Sequence, residues 1–195
     1  FFIRYYRQLA RYGDLRNEGN RRLLVSDLSI ERFFVRSRKY GVHLDKERAV
    51  TEAEPSFAGV LTAILRQCAE AQQMTRWGDK TPEYSRHLPI LRELFPTAQF
   101  IHVVRDGRDV ALSGYQVHFG PKNAYTAARE WADLLERVQA FAATVTGADF
   151  LEVRYEDLLR SPEQVFERLI RFLCTDDPGG EVTRTAGPAA AAEIR

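Results

Sequence analysis

Apolar positions recur along this chain with two distinct periods, and the periods predict most of its elements. Phe57, Val60, Leu61, Ile64 and Cys68 return every three or four residues, the spacing of one helix face. They follow a Thr51-to-Glu54 pair with capping-box spacing, so a helix is expected over about residues 56–73. Leu88, Leu91 and Leu94 predict a short helix that Pro96 closes. "QFIHVVR" and "DFLEVRYED" are instead near-continuous apolar runs, with Ile101, Val103 and Val104 in the first and Phe150, Leu151, Val153 and Tyr155 in the second. That is the pattern of strands covered on both faces in a parallel sheet. Between them Ala127, Ala128, Trp131, Leu134, Leu135, Val138 and Phe141 form the stripe of a helix from about Ala124 to Ala143. Strand, helix, strand predicts a right-handed crossover and an α/β fold.

The flanks read differently. Stretches such as "FFIRYYRQLARYGDLRN" and "IERFFVRSRKYG" predict two or three short amphipathic helices over the first 50 residues, separated at Gly13–Asn20 and near Gly41. Near the other end Ser161 is the expected cap of a helix, with Pro162 at its first position, Gln164 completing a capping box, and Val165, Phe166, Leu169, Ile170 and Leu173 as its buried stripe. After Cys174 the chain is small and rich in Gly and Pro, and is expected to be loose. One domain is expected over 1–195, divided into a helical region 1–50, a core 51–175 and a tail 176–195.

Composition narrows the classes. With 45% hydrophobic and 28% charged residues the chain is in the globular range, and no apolar run approaches the roughly 18 residues needed to span a bilayer. The net charge of +1 hides an asymmetry: residues 1–50 carry 12 Lys and Arg against 6 Asp and Glu, and the remainder 16 against 21. Charged faces of surface helices produce such a bias more often than a nucleic-acid arm does, so no nucleic-acid partner is expected. Cys68 and Cys174 give neither a disulfide framework nor a metal spacing. They are expected to be buried free thiols, in keeping with a reducing, cytoplasmic compartment, and no metal site is predicted.

Ligands of open α/β sheets bind outside the carboxyl ends of the strands. Lys80, placed by Pro82 on a strand end or loop, the Arg105–Asp109 charge cluster, and Tyr155 with Glu156 and Asp157 are all assigned to such ends. Together they suit an anion. Arg105 can grip a phosphate with two donors, and a helix beginning near Gly107 adds its dipole. Ser113, eight residues past Arg105 and a little over one turn into that helix, would face the same anion. In a competing reading Arg105 and Arg108 pair with Asp106 and Asp109 and Ser113 is an ordinary surface residue. The residues alone leave both open.

"WGDKTPEYSRHLPILRELFPTAQFIHVVRDGRDVALSGY", "REWADLL" and "FLEVRYEDLLRSPEQVFERLIRFL", in this order over roughly residues 50–175, resemble the family of sulfotransferases that use 3′-phosphoadenosine-5′-phosphosulfate (PAPS), in its bacterial-type branch. The resemblance implies a three-layer parallel sheet flanked by helices, like P-loop nucleotide-binding folds. It implies transfer of a sulfuryl group from PAPS to a hydroxyl or amine, release of 3′,5′-phosphoadenosine, and no metal. Arg105 and Ser113 would hold the 3′-phosphate. Lys80 would be catalytic, reaching the bridging oxygen and the 5′-phosphate, and Tyr155 would lie near the adenine. Asp106, Arg108 and Asp109 would shape the turn, and Glu156 and Asp157 would serve the turn after the second strand. The first 50 residues would form the lid and acceptor side. The acceptor, whether saccharide, lipid, peptide or small molecule, is not legible, nor is the oligomeric state.

The chain also departs from the family. An opening strand and phosphosulfate loop have no counterpart: the nearby glycines Gly13 and Gly19 bracket "DLRNE", which lacks the hydroxyls and lysine such a loop needs. A C-terminal Gly/Arg loop is not evident either. A fragment is therefore expected, with an incomplete sheet. Pro82 stands where the hormone-type branch has a histidine. Of His43, His87, His102 and His118, His102 reads as a core residue and His118 as a candidate for an acceptor pocket, and no base is assigned. A P-loop kinase and a non-catalytic nucleotide-binding remnant are the competing functions.

Overall fold

Side-chain oxygens set several of the helix starts. In this computed structural model, which describes residues 2–38, 41–117 and 120–174, Asn17 caps α2 (Glu18–Ser29), Asp45 caps α4 (Lys46–Thr51) and Ser56 caps α5 (Phe57–Glu70). Each accepts from a backbone N–H of the first turn that the helix itself leaves unpaired. The expected long helix is thus present, but its cap is Ser56, whose hydroxyl accepts from Gly59 N at 2.9 Å. Thr51 does not open it, because Thr51 is already the last residue of α4 and its hydroxyl bonds back to the carbonyls of Glu47 and Arg48.

The chain divides into two units, Phe1–Pro96 and Thr97–Arg195. The first is helical: α1 (Ile3–Arg7), a 3₁₀ turn (Leu9–Tyr12), α2, α3 (Arg32–Ser37), α4, α5, a second 3₁₀ turn (Pro82–Arg86) and α6 (Leu88–Leu94). Its core is built where α2, α4 and α5 meet, from Leu24, Val25, Leu28, Val50, Val60, Leu61 and Ile64, all without measurable exposure. A buried Gln67 joins α5 to the start of α4 by exchanging two hydrogen bonds with the Asp45 backbone, at 2.9 and 3.0 Å. Both polar atoms of the buried amide thus have a partner.

The second unit holds β1 (Phe100–Val104), α7 (Gly107–Tyr115), α8 (Ala124–Ala142), β2 (Phe150–Arg154), α9 (Tyr155–Arg160) and α10 (Pro162–Leu173). β1 and β2 pair in parallel, Phe100 opposite Phe150 and Val104 opposite Arg154, so the expected strand order and direction are present in a sheet of two strands among the described residues. Phe141 of α8 packs on Phe100 and Phe150, with ring centroids 4.9 and 6.4 Å away. The other face differs from the expectation of two covered faces. Val153 is buried there and α10 packs on β2, while Ile101 and Val103, which share that face on β1, are 41% and 53% exposed.

α10 begins at Pro162 as expected, yet Ser161 makes no side-chain cap bond, so the capping box does not form. Its buried stripe is narrower than predicted: Val165 and Phe172 are buried, Phe166 and Ile170 exposed. Both cysteines are free, but Cys68 is half-buried and Cys174 is exposed. The expected loose tail and His118 lie outside the described residues. No helix among the described residues is long and apolar enough to cross a membrane.

Candidate anion-binding site

Because β1 and β2 are parallel neighbours in register, the residues that follow them emerge side by side. The Arg105 guanidinium lies 4.9 Å from the centroid of the Tyr155 ring, a cation–π contact. One residue further along each strand, the Glu156 carboxylate accepts from Asp106 N at 2.8 Å. This ties the two strand ends together and corrects the expectation that Glu156 serves only its own turn. The backbone N–H holds the Glu156 carboxyl below its ordinary range.

Asp106 turns the chain into α7. Its carboxylate caps the helix through Arg108 N at 2.9 Å and grips the Arg108 guanidinium at 3.0 and 2.7 Å. The hydrogen bonds from Arg108 hold the Asp106 carboxyl well below the usual carboxylate range. Beneath this turn lies Trp131 of α8, whose Nε1 donates to Arg105 O at 3.2 Å. A Cβ added to Gly107 would meet the indole at 2.9 Å, so glycine is what permits this approach. The stripe pattern marked Trp131 only as packing. Its indole N–H, which needs a partner when covered, was the available sign of a further role.

The two arginines of the cluster therefore have different fates. Arg108 is satisfied by Asp106, as in the ion-pair reading. Among the described residues Arg105 reaches a carboxylate only at Asp109, 3.5 Å away, and its Nε is buried without a hydrogen-bond partner. A buried donor left unpaired costs about 1–3 kcal/mol, which an incoming anion would recover. Arg105 also lines an open cleft of about 830 Å³, whose largely apolar wall includes Val104, Leu112, Tyr115, Trp131 and Leu135.

Ser113 is exposed and six residues beyond Gly107, the first residue of α7. That is roughly 9 Å along the helix, further than the expected single turn. It shares a helix face with Asp109, four residues before it, but among the described residues it makes no hydrogen bond to Arg105 and does not line the cleft. The structure thus joins Arg105 to Tyr155 and leaves Ser113 beside them only by helix face. His102 is half-buried, its Nδ1 3.0 Å from Glu152, its partner in the strand register.

Lys80 belongs to the first unit and follows no strand among the described residues. It is exposed, in the loop between α5 and the turn Pro82–Arg86. The loop is held on both sides of it: the buried Tyr84 hydroxyl donates to the Asp79 carboxylate, and Thr81 Oγ1 reaches Asp79 at 3.3 Å. Burial and then the Asp79 carboxylate push the Tyr84 hydroxyl far above its ordinary pKa, so it stays a donor. Among the described residues no cluster of three or more His, Cys, Asp or Glu side chains has the arrangement of a metal site.

A profile described as the sulfotransferase family matches residues 3–178. The omega-hydroxy-beta-dihydromenaquinone-9 sulfotransferase of Mycobacterium bovis is 31% identical over 110 residues, 50% of this chain and 28% of that protein. Protein-tyrosine sulfotransferase 1 of Danio rerio is 26% identical over 177 residues, 85% of this chain and 47% of that protein. The chain therefore spans less than half the length of these relatives. No solved structure matches it at a significant level. With a match that runs through both units and includes Lys80, the Arg105 cluster and Tyr155, the chain belongs to the sulfotransferase family.

Proposed function

We propose that this chain is part of an enzyme that transfers the sulfuryl group of PAPS to a hydroxyl or amine acceptor, releasing 3′,5′-phosphoadenosine. The observation that carries the reading is Arg105: a strand-end guanidinium stacked on Tyr155, with a buried and unpaired Nε. PAPS supplies an activated sulfuryl group on a good phosphate leaving group. Arg105 would bind the 3′-phosphate, exchanging its long contact to Asp109 for a charge-assisted pair. Ser113 would contribute its hydroxyl from the same helix face, and Tyr155 would lie against the adenine. Trp131, Asp106 and Glu156 would fix the turn that presents Arg105.

Lys80 would stabilise the negative charge that develops on the departing phosphate, the main task a protein performs in a loose transfer of this kind. Its loop, braced by Asp79 and Tyr84, suits a fixed ammonium. A three-layer, P-loop-like sheet would carry these groups in the whole protein. The acceptor belongs to the classes represented among the relatives, lipid alcohols and peptide tyrosines, or to saccharides and small alcohols.

Calorimetric titration of the chain with 3′,5′-phosphoadenosine and with 5′-AMP, without added metal, tests this reading. The 3′-phosphate is expected to raise affinity, and Arg105→Ala to remove about 10- to 100-fold of it, the worth of one charge-assisted contact. Equal affinity for the two nucleotides, or an Arg105→Ala variant that binds as the parent does, would overturn it.

A further inference from the structure

Lys80 stands between two residues that share one carboxylate. Asp79, before it, accepts at Oδ1 from the hydroxyl of Thr81, after it, at 3.3 Å, and at Oδ2 from the Tyr84 hydroxyl. Pro82 restricts Thr81 to extended backbone, with φ −129° and ψ 118°, and opens the turn Pro82–Arg86, which brings Tyr84 back to Asp79. The turn is closed by its own backbone: Tyr84 N donates to Thr81 O at 3.0 Å and His87 N to Tyr84 O at 2.8 Å. Lys80 itself is exposed and forms no ion pair among the described residues.

Tyr84 is buried, with its ring centroid 5.1 Å from that of Phe2. Phe2 in turn lies 6.3 Å from Phe95, and Phe95 meets Trp77 edge-on at 5.4 Å. The loop from Trp77 to Tyr84 is thus held at both ends in one aromatic cluster. Packing in such a cluster needs only the ring, which phenylalanine supplies equally. The hydroxyl has a separate effect: it fastens the carboxylate next to Lys80 to the core, and Thr81 fastens the other side of Lys80 to the same carboxylate. A long, flexible lysine side chain reaches a defined point only from a fixed backbone, and a small misplacement of a reacting group is costly.

We propose that Tyr84 is a positioning residue, which acts through Asp79 to place the Lys80 ammonium at the 5′-phosphate of the nucleotide. The inference rests on the role given to Lys80 under the proposed function. Titration calorimetry of the whole chain with 3′,5′-phosphoadenosine and with adenosine 3′-monophosphate isolates that contact, because the ratio of the two affinities is the worth of the 5′-phosphate. Lys80→Ala should remove most of the ratio. Tyr84→Phe should lower it about three- to tenfold and leave the affinity for adenosine 3′-monophosphate unchanged. Added to Lys80→Ala, it should change nothing further, since both act on one contact. Asp79→Ala, at an exposed position, should match Tyr84→Phe. Tyr6→Phe, which removes a comparable hydroxyl-to-carboxylate bond to Glu93 in the same unit, should leave the ratio as it is. Circular dichroism confirms that each variant is folded.

A Tyr84→Phe variant that keeps the parent's ratio would overturn the proposal, as would one that weakens both nucleotides equally, which would make Tyr84 a packing residue. So would losses from Tyr84→Phe and Lys80→Ala that multiply in the double variant. Should Tyr84→Phe fail to fold, Asp79→Ala carries the test, and an unchanged ratio in it would overturn the proposal likewise. These outcomes leave the role of Lys80 standing. A parent chain that binds both nucleotides equally, or neither, would remove that role and the proposal with it.

Discussion

The two units of this chain use their apolar residues in opposite ways. Among the described residues, seven of the nine largest fully buried side chains lie before Pro96, and Val138 and Val153 lie after it. The exposed large apolar residues among those described run the other way, five in the first unit and ten in the second. The helical unit closes a core among α2, α4 and α5, whereas the β-α unit leaves one face of β1 open and lines a cleft with apolar side chains. Its order around the strand ends is polar instead: Glu156 on Asp106 N, Asp106 on Arg108, Trp131 on Arg105 O. Packing density and site organisation are therefore separable in this protein, and the site depends on short polar bonds more than on core volume.

The two tryptophans allow the contrast to be measured, since Trp77 reports on the first unit and Trp131 on the second. Leu61→Ala should have the largest effect, about 2–5 kcal/mol in urea unfolding followed at Trp77, because truncation in a closed core leaves a cavity. A loss under about 1 kcal/mol would show that the helical core is not tightly packed and would break the comparison.

Gly107→Ala comes next. The new methyl would sit 2.9 Å from the Trp131 indole, and relief by shifting the turn should cost about 1–3 kcal/mol, with a change in Trp131 emission and little at Trp77. Trp131→Phe removes the bond to Arg105 O together with part of the indole's packing against Gly107. Its expected cost is about 1 kcal/mol, accompanied by weaker binding of 3′,5′-phosphoadenosine. A stability loss with unchanged binding would make Trp131 a packing residue alone.

The smallest effect is a pH dependence. Asp106 and Glu156 have folded-state pKa values depressed by their donors, so their stabilisation is full above the ordinary carboxylate value of about 4 and fades as pH falls through the depressed values. In a Trp77→Phe background, Trp131 emission should stay flat at neutral and mildly acidic pH and change only below about pH 4. Glu156→Gln should remove part of that change. A transition near pH 6 would contradict the assignment.

Much of the architecture was legible along the chain. The apolar runs at Ile101–Val104 and Phe150–Val153 mark two strands, and the stripe from Ala127 to Phe141 marks α8, because burial of a regular element repeats at its own period. Legibility failed where one local pattern served two masters. Thr51 to Glu54 has capping-box spacing, yet Asp45 had already started a helix that swallows Thr51, and a cap is decided by backbone conformation that spacing does not encode. The continuous apolar run of β1 suggested cover on both faces, but alternation alone does not say whether a neighbour arrives.

Within the site, sequence alone determined which groups carry charge and which end of the strands they occupy: Arg105, Asp106 and Arg108 after β1, Tyr155 and Glu156 after β2. Only tertiary structure decided which of them remains available. Arg108 is consumed by Asp106, while Arg105 keeps a buried Nε unpaired against Tyr155. The reason is geometric: a hydrogen bond acts over about 3 Å, so the partners of a side chain are fixed by the parallel register of β1 and β2 and by the approach of Trp131 to Gly107, neither of which is written in nearest-neighbour order.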